Sequence, residues 1–199
     1  MALDNKEVGI MTNLELKLRV CETGLDVVDI NGFKYNLIKV DTKVVKGFKV
    51  LIPIFDQVEV DDVIKTEKYQ VTRLGENAEP IDLVIRIDKF EIIGTGDKDI
   101  SEYLNVRVKG MITGSEKCYL KTVGPDRKAF YMCTIKLLDE YRETFGILLV
   151  AFNNSAKKLS TIPFASSVTA EVSIRPKLKQ PGYEMAVVKI DRLENGGNK

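Results

Sequence analysis

Apolar and polar residues alternate along most of this chain, and the alternation runs through two successive copies. Leu14-Glu-Leu-Lys-Leu-Arg-Val20 alternates, as do Leu104-Asn-Val-Arg-Val108 and the run from Ile81 to Phe90. Successive side chains of an extended strand point to opposite faces, so a period of two marks half-buried strands rather than helices. Turn residues interrupt the pattern at Gly24, Gly32, Gly47, Gly75 to Pro80, Gly124-Pro125 and Gln180-Pro181-Gly182. Many short strands at this spacing predict an all-β chain built as small barrels or a sandwich.

The copies are visible residue by residue. Shifted by 97 positions, Phe33, Ile38, Lys39, Phe48, Leu51 and Phe55 fall on Phe130, Ile135, Lys136, Phe145, Leu148 and Phe152, six identities over the 23 positions 33–55. A first strand pairs Leu16-Lys-Leu-Arg19 with Val106-Arg-Val-Lys109, a shift of 90. A last match sets Val84-Ile-Arg-Ile-Asp-Lys-Phe-Glu91 against Val187-Val-Lys-Ile-Asp-Arg-Leu-Glu194, a shift of 103. Three matches in one order predict a duplicated unit whose loops changed length. The break falls at Gly94-Thr95-Gly96-Asp97. The expected division is an N-terminal extension 1–12, a first domain 13–94, a linker 95–102, a second domain 103–194 and a disordered tail 195–199. The 199 residues suffice for two cores of roughly 90–100 residues each.

Charge divides along the same line. Residues 1–98 hold 14 Lys+Arg against 18 Asp+Glu, a net of −4; residues 99–199 hold 16 against 11, a net of +5. A basic half inside a near-neutral chain suits a polyanion-binding module joined to a less basic partner. Catalysis finds little footing. There is no His, which removes the commonest general base, the Ser-His and Cys-His dyads and most zinc sites. Cys21, Cys118 and Cys133 lack metal-ligand spacing and read as reduced thiols of a cytoplasmic protein. No Walker loop or nucleophile elbow occurs. Asp61-Asp62 reads as a solvated bend, and Gly94-Thr-Gly96 lacks the strand-then-helix setting of a dinucleotide site. No cofactor and no metal are expected. No apolar run approaches the roughly 20 residues needed to span a bilayer, and Met1 to Glu7 has neither the basic nor the apolar region of an export signal.

In residues 104–194 the order of elements resembles the single-stranded-DNA-binding protein family. A first strand, Val106-Arg-Val-Lys-Gly-Met-Ile112, leads into an aromatic and basic stretch. A third strand ends in Val150-Ala-Phe-Asn-Asn-Ser-Ala156, similar to the family's Val-Ala-Phe-Gly-Lys-x-Ala. A short helix follows, then a strand at Val168–Ile174, a basic loop and a closing strand at Tyr183–Leu193. Asn153, Asn154 or Ser155 is expected to cap the helix, with Ala156, Leu159 and Ile162 inward and Lys157 and Lys158 in water. The resemblance implies the oligonucleotide-binding (OB) fold, and through the repeat it implies two tandem five-stranded OB-type barrels, each with at most one short helix. Two departures, the lack of Trp and of an acidic C-terminal tip, point to a divergent member of phage or mobile-element type.

Single strands are held by aromatic faces for bases and cations along the phosphates. In Phe130-Tyr-Met-Cys-Thr-Ile-Lys136, alternation puts Phe130, Met132, Thr134 and Lys136 on one face, and Tyr131, Cys133 and Ile135 on the more uniformly apolar one. The first set is the candidate binding face. Its repeat mates are Phe33, Tyr35, Leu37 and Lys39; there Lys34 and Asn36 make poor core residues, so the same set also suits a buried face. Phe152 stands where the family carries a base-stacking aromatic, with Phe55 as its mate, and packing beneath the helix is the other role open to it. Lys121, Arg127 and Lys128 flank the turn at Gly124-Pro125, and Arg175, Lys177 and Lys179 lie in the basic loop, the loops with which OB folds embrace oligonucleotides. Tyr119 and Tyr183 are lesser candidates. The expected function is non-catalytic binding of single-stranded DNA in replication or recombination. The alternative is an assembly or replisome-adaptor module on the same fold. RNA stays open as a ligand. The family's use of four OB domains per strand implies a homodimer, with pairing of exposed strand edges as its contact.

Overall fold

The structure, a computed structural model, describes residues 14–75, 81–114, 118–138, 143–177 and 181–193. The first unit holds β1 (Leu16–Ile30), β2 (Phe33–Asp41), β3 (Phe48–Pro53), β4 (Asp62–Leu74) and β5 (Asp82–Thr95). They close into a barrel in the order β1-β2-β3-β5-β4. The second unit holds β6 (Leu104–Thr113), β7 (Lys121–Val123), β8 (Lys128–Leu138), β9 (Thr144–Phe152), α1 (Asn153–Ser160), β10 (Ser167–Pro176) and β11 (Tyr183–Arg192). Its strands run β6-β10-β11-β9-β8, the β6–β8 pairing closes the ring, and β7 is a short outer extension of the β7–β8 hairpin. The two rings share one strand order. The chain is all-β and has the fold of two tandem OB-type barrels.

Alternation builds both interiors. Leu16, Leu18 and Val20 of β1, Ile38 and Val40 of β2, and Leu83, Ile85 and Ile87 of β5 are buried together; Val106, Ile135, Leu149 and Val172 do the same in the second ring. Each such side chain contributes about 1.5–3 kcal/mol of hydrophobic stabilisation. β1 turns a corner through register shifts between Val20 and Asp26, where Gly24 has φ +67°. Such bulges let one strand serve the barrel wall and then swing outward.

The hairpin registers bear out two of the three repeat matches. Leu37 faces Leu51 and Val40 faces Phe48; shifted by 97, Thr134 faces Leu148 and Leu137 faces Phe145. The 90-residue shift of the first strands fits as well: Val20 faces Val40, and Met111 facing Lys136 puts Gly110, the mate of Val20, opposite Leu137. Gly110 is required there, since a Cβ would come within 2.5 Å of the Lys136 carbonyl oxygen. The third match is out of register. Val50 lies beside Ile85, so Ile52 stands beside Ile87, whereas Leu149, the mate of Ile52, stands beside Met185. The closing strands therefore correspond at a shift of 98, not 103.

The helix also departs from expectation at its start. Phe152 occupies the N-cap position, and no side chain caps the first turn; the Ser155 hydroxyl donates instead to the Val188 carbonyl at 3.4 Å. Its faces are as predicted, with Ala156, Leu159 and Ile162 buried and Lys157 and Lys158 exposed.

The segment between the barrels is fastened to the first. Ser101 N–H donates to the Lys17 carbonyl at 2.8 Å, Lys17 N–H to Ser101 Oγ at 3.0 Å and Lys43 N–H to the Ser101 carbonyl at 3.0 Å, while Ile100 is buried. Arg19 reaches Asp41 at 2.7 Å and Asp97 at 2.8 Å. Across the barrels, Phe48 meets Tyr183 edge-on with centroids 5.0 Å apart. Arg73 pairs with Glu143 at 2.8 Å and lies over the Phe145 ring. Burial pushes the Tyr69 hydroxyl up to about 12, although the backbone of Arg107 and Leu14 supplies opposing hydrogen bonds. The inward-facing buried residues of both barrels form one contiguous cluster.

Candidate nucleic-acid interface

On β8 the face predicted to be apolar is inward: Tyr131, Cys133 and Ile135 are buried, while Met132 and Lys136 are exposed and Phe130 and Thr134 half-buried. The β8–β9 register sets Phe130 directly opposite Phe152. Their centroids lie 5.3 Å apart at an interplanar angle of 57°, within the range of favourable aromatic pairs. Phe152 is exposed on the outer surface where β9 gives way to α1. Two cations flank this pair. Lys121 of β7 places Nζ 5.2 Å from the Phe130 centroid and 5.9 Å from that of Tyr119. Arg175 at the end of β10 lies 5.7 Å above Phe152 and donates from Nε to Glu184 at 2.8 Å. The fold thus gathers five expected residues, Tyr119, Lys121, Phe130, Phe152 and Arg175, from four chain segments into one aromatic and cationic surface. Such a surface offers π-faces to bases and positive charge to phosphates at once.

The other expected residues of this barrel surround the cluster unevenly. Arg127 and Lys128 sit at the β7–β8 turn, two rungs along the hairpin from Lys121, with Lys128 3.7 Å from Asp126. Lys136 stands at the opposite end of β8, facing Gly146 across the ladder. It has no ion-pair partner among the described residues. The Lys177 N–H closes the β10–β11 turn on the Gly182 carbonyl at 3.0 Å; Lys179 lies outside the described residues. Tyr183, a lesser candidate, is half-buried, with its ring packed on Phe48 of the first barrel.

In the first barrel three of the mates, Phe33, Tyr35 and Phe55, share one cleft, while Leu37 and Lys39 do not line it. Phe33 is 69% and Phe55 94% exposed, and their rings make no aromatic pair. With Tyr35, Pro53 and Ile54 they line an open cleft of about 410 Å³. Leu37 is buried, but on the outer surface, in a second apolar cluster with Ile30, Leu51 and Val84. Lys39 donates to Glu22 at 2.7 Å, and that hydrogen bond and charge raise its pKa. Arg86, which the sequence did not single out, lies over Tyr35 and pairs with Asp88 at 2.9 Å.

Among the described residues no group of three His, Cys, Asp or Glu is placed to hold a metal. Asp62 accepts from the Glu59 N–H at 2.7 Å in a turn where Asp61 has φ +77°, so the acidic pair shapes a bend. Burial pushes the Cys133 thiol up to about 12, which keeps it protonated. No described helix is long and apolar enough to cross a membrane.

No family model matches the sequence, and no curated protein matches it. Among solved structures, the chain is similar to the wild-type single-stranded DNA binding protein from Thermus aquaticus, with a TM-score of 0.63 at 12% identity over 94% of this chain and 96% of that one. A deletion variant of that bacterial protein matches with a TM-score of 0.64 at the same identity and coverage. At this identity the likeness is one of fold, and it extends over both barrels.

Proposed function

We propose that this chain is a non-catalytic protein that binds single-stranded DNA by stacking bases on Phe130 and Phe152 and drawing phosphates to Lys121, Arg175 and the neighbouring loops. The observation that carries this reading is the Phe130–Phe152 pair with a cation over each outer ring. A fold shared with proteins named for single-stranded DNA binding supports it. In this reading residues 13–94 and 103–194 are the two domains, and the protein works in the cytoplasm during replication or recombination as a divergent, phage-type member of that group. Phe33, Tyr35 and Phe55 supply a second, weaker contact, in which Lys39 stays with Glu22. A homodimer would present four OB domains.

Anisotropy titration of labelled oligothymidylate at two salt concentrations, with duplex DNA and RNA as competitors, tests the proposal. Tight, salt-sensitive binding that duplex does not displace is the expected result. Folded protein that binds no oligonucleotide at low salt overturns it and leaves the assembly-module reading. One observation favours that second reading for the first barrel: its outer cations Lys39, Lys49 and Arg86 are already paired with carboxylates.

A further inference from the structure

Beside the Phe130–Phe152 pair, a cleft of about 430 Å³ opens between residues 118–120 and the turn after α1, with Tyr119, Leu120, Tyr131, Pro163 and Phe164 in its walls. Tyr119 is 61% and Phe164 51% exposed. Phe164 is held in place by three features. Its turn is bonded to β6 on both sides, Ala165 N–H to the Ile112 carbonyl at 2.8 Å and Ile112 N–H to the Ser166 carbonyl at 3.0 Å. Ala165 has φ +64°, a left-handed conformation that residues with a Cβ resist. The ring lies against Gly114, where a Cβ would come within 2.2 Å of it. A large aromatic side chain kept exposed by a strained, anchored turn is preorganised for contact.

The cleft's chemistry narrows the occupant. Among the described residues no charged side chain lines it, and the Ser160 and Thr161 hydroxyls already donate to the Lys157 and Lys158 carbonyls at 2.8 Å each. A neutral planar group fits, and those two hydroxyls are committed elsewhere instead of reading its edge. Among the described residues a cation stands at the border, where Lys121 lies between the rings of Tyr119 and Phe130.

We propose that this cleft is a further base subsite. It takes a nucleobase of the same strand whose neighbouring bases stack on Phe130 and Phe152, with Tyr119 and Phe164 as its aromatic walls and Lys121 holding the phosphate between the two subsites. The inference rests on the single-strand reading above. Oligothymidylates of increasing length, titrated by anisotropy against the full chain and its Phe164→Leu and Phe164→Tyr variants, test it, with thermal melts to establish that each variant is folded. Wild-type affinity should step up once the strand is long enough to enter the cleft. Phe164→Leu should remove that step, a loss on the order of tenfold, and leave shorter strands unaffected, while Phe164→Tyr retains it. Photocrosslinking of iodouracil-substituted strands to wild-type protein should in parallel mark the peptide containing Tyr119 or Phe164. If the wild type binds strands while Phe164→Leu matches it at every length, or if neither peptide crosslinks, the subsite is wrong and the general reading stands. Loss of self-association in Phe164→Leu with unchanged DNA binding overturns it too, as a contact between copies. A wild type that binds no strand overturns both.

Discussion

On the second barrel, Lys121 lies over an aromatic ring and Lys136 has no carboxylate partner among the described residues. On the first, Lys39, Lys49 and Arg86 hold Glu22, Asp82 and Asp88 at 2.7, 2.5 and 2.9 Å. The repeat explains part of the contrast. Glu22 faces Lys39 across the first ladder, whereas Met111 faces Lys136 across the second, so the mate of Lys39 has no acid opposite it. The outer row of Leu37 and Leu51 is sealed in its own apolar cluster, while the mates Thr134 and Leu148 remain half-buried. One strand order and one hairpin register thus carry two surfaces. What such a surface can contact is set by the side chains placed on the barrel and not by the barrel.

Four measurements break or sharpen that comparison. The largest effect concerns whether the barrels are separate bodies at all. Phe48→Ala should cost about 3–5 kcal/mol, as expected for a buried Phe, and calorimetry should still show one transition, because the two cores are continuous. Two resolved transitions in the wild type would make the barrels independent.

Acid should reveal a clamp in the first barrel. Burial pushes the Asp41 carboxyl up, but the Gly47 N–H and the Arg19 guanidinium outweigh it, and the net pKa is lowered. A carboxyl depressed on folding gives its full stabilisation above the pH at which the unfolded chain titrates and loses it as pH falls through the lower, folded value. The mate of Asp41 is Leu138. Asp41→Asn should therefore cost about 1.5–3 kcal/mol at neutral pH and flatten the acid limb of the stability curve, read by denaturant melts at stepped pH. An unchanged acid limb would remove the clamp.

Ligand contact should divide unequally. Phe152→Ala should lower single-strand affinity by about 1–3 kcal/mol, with circular dichroism confirming the fold, and Phe55→Ala by less, although Phe55 is far more exposed. Equal losses would make the barrels equivalent binders. The smallest effect is in the salt dependence. Lys121→Ala or Lys136→Ala should each reduce the slope of log K against log salt by about 0.7, whereas Lys39→Ala should leave it in place. A change in slope for Lys39→Ala would show that Glu22 gives way to phosphate.

Much of this architecture could be read from the residues. The alternation Tyr131, Cys133, Ile135 against Phe130, Met132, Lys136 assigned both faces of β8, because one set is apolar throughout. The match of Phe33–Phe55 to Phe130–Phe152 held because that hairpin kept its ladder register. The closing strand misled. A bulge between Glu171 and Val172 shifts the pairing there, and apolar residues stand on both sides of it, so pattern alone fits two shifts. The helix cap misled for a local reason, since Asn153 takes φ +51° and Phe152 the extended conformation that precedes the helix. Arg86, Phe164 and the fate of Tyr183 depend on contacts between segments distant in sequence, which no local pattern encodes.

The fastening of Lys17, Lys43 and Ser101 bears on avidity. Two sites joined by a flexible tether find each other's ligand at an effective concentration set by the tether, and lengthening it dilutes them. Here the joint contributes no such freedom. The distance between the two aromatic surfaces is a property of the protein, and the variable length belongs to the bound strand. Bivalent engagement should then depend on how many nucleotides separate the contacted bases, rising where their span matches the fixed gap and falling on either side. In the proposed binding mode the protein would act as a ruler for the slack in a bound strand.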